Sequence, residues 1–191
     1  MLGNPFFVIG IAASAGGLAA LKVIVSALPD DFPACVLVIR HRTLDGVDLL
    51  PDILRGQTRL RVKQAEDGDP LAPATVYTAR PGWHLLVNPD GTLQLSDAPK
   101  VNYVRPAADL LFKSMAENLG LRAVAVVLTG NGGDGSGGQV IVQCPDTAQE
   151  PGMPDAALRT GQVDHVVPLA GIAAALTVVV SQVTICPSLL L

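Results

Sequence analysis

Short apolar runs alternate along the chain with stretches of helical periodicity. Phe6–Ile11 is a continuous apolar run that ends in glycine and small residues, the pattern of a strand buried on both faces. Gly16–Leu28 places Leu18, Leu21, Val25 and Leu28 at helical spacing, and Pro29 follows it. Ala34–Ile39 predicts a second buried strand, and Val47–Leu54 a short helix closed by Gly56. Arg61–Lys63 and Val76–Ala79 are weaker strand candidates. His84–Asn88 and Thr92–Ser96 flank Asn88-Pro89-Asp90-Gly91, a proline–glycine arrangement that fits a type I turn and predicts a β-hairpin. Pro106–Leu119 has proline at its start, Gly120 at its end, and Leu110, Leu111, Met115 and Leu119 on one face. Ala123–Thr129 is a strongly apolar strand running into a glycine-rich loop. Val140–Val142 predicts another strand, and Pro154–Thr160 and Leu169–Val179 the last helices. Strands alternating with helices predict an α/β fold: a doubly wound, mainly parallel sheet with helices on both faces and one antiparallel β-hairpin.

Length and composition narrow the class. At 191 residues the chain fits a single domain, with neither internal repeat nor low-complexity linker. Lys plus Arg is 13 and Asp plus Glu is 17, a net charge of −4 that argues against a nucleic-acid binder. A hydrophobic fraction of 49% excludes wholesale disorder. Cys35, Cys144 and Cys186 give neither a disulfide framework nor a CxxC metal pair, which fits a reducing, cytoplasmic compartment. The N-terminus lacks the basic region of a signal peptide. Gly171–Leu191 has no charge, but Ser181, Gln182, Thr184 and Pro187 interrupt it and no basic cluster flanks it. It predicts a buried helix with an apolar tail rather than a membrane anchor.

In open parallel sheets ligands bind beyond the carboxyl ends of the strands. Ala13-Ser14-Ala15-Gly16-Gly17 follows the first predicted strand, and Arg40-His41-Arg42 the second. Thr129-Gly130-Asn131-Gly132-Gly133-Asp134-Gly135 follows the strand that includes Leu128. A serine, a histidine and an aspartate thus fall at one sheet edge, the three groups of an acyl-transfer triad. Ser14 sits at a strand-to-helix turn among small neighbours, with helix N–H groups behind it for a developing oxyanion. His41 is of the one residue type whose ordinary pKa suits proton transfer near neutrality. Asp134 would hold the second imidazole nitrogen. Each residue alone has a plainer reading: a helix cap, a solvated strand-end histidine, a turn aspartate. The strand–glycine–helix pattern also occurs in nucleotide-binding domains, but this chain lacks both GxGxxG and the Walker lysine.

The chain resembles the catalytic domain of the chemotaxis protein-glutamate methylesterases, the CheB family. The resemblance rests on Val8–Gly17, Arg40-His41, Ala65-Glu66-Asp67-Gly68, Pro81–Val87, Val101–Pro106, Leu128–Gly135 and Gly152-Met153-Pro154, in the family's order and over nearly the whole chain. It implies a single catalytic domain over residues 1–191, with Ser14, His41 and Asp134 as the catalytic residues and no metal or cofactor. It implies demethylation of glutamate methyl esters on the cytoplasmic helices of methyl-accepting chemotaxis receptors, with release of methanol, and in many members deamidation of receptor glutamines. Backbone N–H groups of Asn131 and Ala15 would face the oxyanion.

Several positions depart from the family pattern. Ala15 stands where threonine is usual, removing a hydroxyl donor whose loss can cost roughly 10²–10³ in rate. Asn131 replaces a methionine, and Arg42-Thr43 replaces Met-Pro. Only Ser136-Gly137-Gly138-Gln139 separate Gly135 from the run at Val140, where the family has a crossover helix. A parallel crossover takes about a dozen residues. Either residues are absent from the chain, or the helix is deleted, which would bare one sheet face. Many family members carry a receiver domain before the catalytic one, and the expectation for residues 1–191 is a catalytic domain without it. These departures leave room for a weakened member that acts as a receptor-binding module.

The remaining candidates have plain expectations. Trp83 reads as packing, His84 as structural, His165 as surface, and Arg105 as an exposed side chain or a partner of backbone carbonyls. Asp109, Lys113 and Glu117 read as a solvated ion-pair ladder. Arg40, Arg42, Arg55, Arg59 and Arg61 make the early region locally basic.

Overall fold

A computed structural model describes residues 6–41, 48–130 and 139–181. Asn131, Asp134 and Cys186 lie outside these described residues. The expected architecture is present. A sheet of seven strands is formed by β1 (Phe7–Ala13), β2 (Ala34–Arg40), β3 (Arg61–Gln64), β4 (Thr75–Thr78), β7 (Ala123–Val127), β8 (Gln139–Gln143) and β9 (His165–Val167). Its order is β3-β4-β2-β1-β7-β8-β9, and every neighbouring pair is parallel. β5 (His84–Val87) and β6 (Leu93–Ser96) form the antiparallel hairpin. The helices are α1 (Gly17–Ala27), α2 (Leu50–Arg55), α3 (Ala108–Leu119), α4 (Gly152–Arg159) and α5 (Ile172–Ser181).

The sheet divides the core in two. Phe7, Ile9, Ile11 and Ala13 of β1 pack with Leu21 and Ile24 of α1 and with Leu176 of α5. Val8 and Ala12 of the same strand pack with Ala108, Leu111, Phe112 and Met115 of α3 on the other face. β1 is buried along its whole length, which is why it reads as an unbroken apolar run rather than an alternation.

Two expectations change. β9 had no signal, being three residues long and exposed or half-buried at the sheet edge. The bare face that a lost crossover helix would leave does not occur at β8, where Val140, Ile141 and Val142 are at most 4% exposed. Val140 and Val142 pack with Met153 and Ala157 of α4, and Ile141 shares a cluster with Ile172 and Leu176 of α5. β8 is nonetheless parallel to β7, with Val124 opposite Gln139.

Of the apolar C-terminal run, Ile172–Ser181 is helical, and the rest lies outside the described residues. Among the described residues no helix is long and apolar enough to cross a membrane.

Candidate active site

The chain order reverses direction across the sheet at β1, whose neighbours are β2 on one side and β7 on the other. Such a switch point opens a crevice beyond the carboxyl ends of the strands. The ladder continues past all three strand ends. The Ser14 N–H donates to the Thr129 carbonyl at 3.0 Å, and the His41 N–H donates to the Ala13 carbonyl at 2.9 Å. Ala13 is opposite Arg40 in register, so Ser14 and His41 follow as neighbours on adjacent strands. Adjacent strands lie about 4.8 Å apart. Alternation puts both side chains on the face covered by α3, since Ala12 and Ile39, each two residues back, pack with Ala108 and Phe112.

Ser14 is half-buried, and α1 begins just beyond it. Gly16 caps that helix at φ +75°, and a Cβ there would meet Gln149 at 2.7 Å, so glycine is needed on both counts. Ala15 is exposed, and its N–H has no acceptor among the described residues.

The loop after β7 is tied to this turn by Thr129, which is 2% exposed. Its hydroxyl donates to the Ala15 carbonyl at 3.0 Å and accepts from the Glu150 N–H at 2.8 Å. The Thr129 N–H donates to Oε1 of buried Gln143 at 3.0 Å, and Nε2 of Gln143 donates to the Thr147 carbonyl at 2.8 Å. Gly130 lies against Ser14 so closely that a Cβ would sit 2.5 Å from the Ser14 Cβ and 2.5 Å from the Met153 sulfur. Sequence patterning singled out neither Thr129 as a tie nor Gln143. Their only signal was polarity at strand ends that are otherwise apolar.

Burial pushes the His41 pKa below its ordinary value, and the negative charge of Asp109 opposes that shift. The imidazole is therefore neutral at pH 7 and able to accept a proton. Asp109 lies in the first turn of α3 and accepts a hydrogen bond from Asn102 Nδ2 at 3.1 Å. It is thus more than the end of a solvated ladder, of which Lys113 and Glu117 stand 3.9 Å apart.

The structure brings together Ser14, Ala15 and His41 of the expected site residues. Asp134 and Asn131 fall outside the described residues, so their expected roles have no geometry here. His84 is structural: fully buried, it accepts from the Ala107 N–H at Nδ1 and donates from Nε2 to the Pro99 carbonyl. Of the two plain readings of Arg105, the carbonyl partner holds: it donates to the carbonyls of Asp97 and Ala98. Trp83 is half-buried with the Arg80 guanidinium 5.6 Å from its ring centre.

Fold and crevice together define a doubly wound parallel α/β domain with a serine and a histidine side by side at the switch point. The chain belongs to the CheB methylesterase family, whose model matches residues 9–176. It is 38% identical over 181 residues to the protein-glutamate methylesterase FrzG of Myxococcus xanthus, covering 90% of this chain and 54% of that protein. It is 40% identical over 172 residues to protein-glutamate methylesterase/protein-glutamine glutaminase 2 of Anaeromyxobacter dehalogenans, covering 85% of this chain and 50% of that protein. The chain thus spans about half the length of these curated relatives. The crystal structure of the Thermotoga maritima CheB methylesterase catalytic domain superposes with a TM-score of 0.87 at 33% identity, covering 93% of this chain and all of that one.

Proposed function

We propose that residues 1–191 act as one cytoplasmic catalytic domain, a serine hydrolase that demethylates glutamate methyl esters on methyl-accepting chemotaxis receptors. The observation that carries this reading is the pair Ser14 and His41, adjacent in register at the switch point of the sheet. The names of the relatives, protein-glutamate methylesterase and protein-glutamine glutaminase, supply the reaction class.

Ser14 Oγ attacks the ester carbonyl carbon while His41 takes its proton. The oxyanion that forms is met by the Ala15 N–H, which has no other acceptor among the described residues, and by the Asn131 N–H. Collapse expels the methoxy group, which takes the proton from His41 and leaves as methanol. The glutamyl–Ser14 ester is then hydrolysed by water that His41 deprotonates, which frees the glutamate carboxylate. Asp134 orients the imidazole and stabilises its cation. A glutamine side chain entering the same sequence would lose ammonia in place of methanol. A neutral His41 at pH 7 supports the base role, since a group already protonated could not accept the serine proton.

The test is methanol release from methylated receptor by this chain and by its Ser14→Ala variant. Release that disappears in the variant supports both the reaction and the nucleophile. Equal release from the two would mean that another residue attacks.

A further inference from the structure

On the α1 side of the sheet edge, next to Ser14, lies a cleft of about 330 Å³ lined by Gly16, Leu18, Ala19, Lys22, Arg40 and Gln149. Two of these residues are cationic and none is acidic. Arg40 is opposite Ala13 in register and so points to the α1 face, while His41 points to the α3 face. The cleft and the candidate catalytic pair therefore sit on either side of the same strand ends.

Elsewhere in the early region three basic side chains have acidic partners, and Arg61, which is exposed, has none among the described residues. Arg59 pairs with Asp30 at 3.0 Å and Arg55 with Asp52. Lys63 lies between Glu66 and Asp69. Among the described residues neither Lys22 nor Arg40 has an acidic group within ion-pair distance. The Arg40 Nε is also buried and has no hydrogen-bond partner among the described residues, although the side chain borders a second, smaller cavity that Asp48 also lines. A buried guanidinium N–H without an acceptor is costly, and a carboxylate presents two oxygens that match its geometry. Gln149 adds an amide at the mouth, where its side chain covers Gly16.

We propose that this cleft binds an ionised carboxylate side chain on the same receptor segment as the reacting ester. The inference rests on the hydrolase reading and deepens it. Each demethylation leaves a free glutamate, so a segment with several esterified positions becomes richer in carboxylates as the reaction proceeds. A cleft that holds one of them beside Ser14 would make the enzyme favour segments already partly demethylated. Lys22 and Arg40 are binding residues in this scheme and take no part in bond breaking.

Two helical peptides test it, each with one central glutamate methyl ester. One has glutamates a helical turn to either side, and the other glutamines. The expected result is a kcat/KM about tenfold higher for the glutamate peptide, carried by KM, with the preference lost in Lys22→Gln and in Arg40→Gln. Lys113→Gln, an exposed lysine on α3 remote from the cleft, keeps it. Equal use of the two peptides by the parent chain overturns the proposal, as does a preference that survives in both cleft variants. Calorimetric binding of the two peptides to Ser14→Ala separates this inference from the hydrolase reading. Tighter binding of the glutamate peptide that Lys22→Gln abolishes supports the cleft even if no ester turns over. Equal binding of both peptides overturns it.

Discussion

Thr129→Val is the sharpest test of how the loop after β7 holds the turn after β1. Valine matches threonine in shape and replaces the hydroxyl by a methyl group. At a site 2% exposed, no water takes the hydroxyl's place. The Glu150 N–H, now 2.8 Å from the hydroxyl oxygen, would face a methyl group. The Ala15 carbonyl would lose its donor at 3.0 Å, although Ala15 is exposed and that carbonyl can turn to solvent. One orphaned, partly buried N–H sets the cost at about 1–2 kcal/mol. For a domain of this size that corresponds to a fall in Tm of about 2–8 °C. The catalytic effect should be larger in proportion. The Thr129 hydroxyl and the Thr129 carbonyl hold Ala15 and Ser14 respectively, and a nucleophile displaced by about 1 Å can lose roughly a hundredfold in rate. Thr129→Ser keeps the hydroxyl and loses one methyl, so it should cost about 1 kcal/mol and keep most of kcat. Melting followed by circular dichroism, with methanol release at matched folded fraction, reads both effects. A Thr129→Val chain with parental Tm and kcat would refute the reasoning, and so would a serine variant as impaired as the valine.

Three further outcomes follow from the same geometry. Gln143→Leu leaves the buried Thr129 N–H without a partner, while the carbonyl of exposed Thr147 can turn to solvent, and should destabilise the fold by about 1–3 kcal/mol, measured by urea unfolding. Gly130→Ala puts a methyl group 2.5 Å from both the Ser14 Cβ and the Met153 sulfur. It should cost about 1–3 kcal/mol and most of the activity, and normal turnover would show that the loop yields without moving Ser14. Asp109→Asn removes the charge that holds the His41 pKa up, so that pKa should fall further and the acid limb of the kcat/KM profile should move to lower pH. The stability sign agrees: a histidine whose folded pKa is depressed stabilises above its unfolded pKa of about 6.5, and that stability is lost as pH falls through the folded value. Unfolding of the parent followed from pH 7 down to pH 4 should show the loss, and it should be smaller in His41→Gln.

Much of this protein was settled by its order of residues. β1, β2 and β7 are buried on both faces, so their runs are apolar throughout, and such runs separated by helical stretches have few arrangements other than a parallel sheet. The hairpin was legible because Pro89 and Gly91 meet the backbone needs of one turn type. Ser14 and His41 could be picked out because each is the first polar chemistry after a buried strand, and strand ends in such sheets gather at one edge. What the chain order could not supply was everything decided between segments far apart in sequence. β9 is too short to leave a period. The plain ladder reading of Asp109 changed once the packing of α3 on the sheet set its charge against a half-buried imidazole. Thr129 and Gln143 look like ordinary strand-end polar residues until burial turns each hydrogen bond into a structural tie. Arg40 and His41 are neighbours in sequence, yet the pleat sends one to a cationic cleft and the other to the candidate catalytic pair. The physical reason is common to these cases: periodicity reports which face of an element is apolar, and only packing sets which polar groups share a space without water.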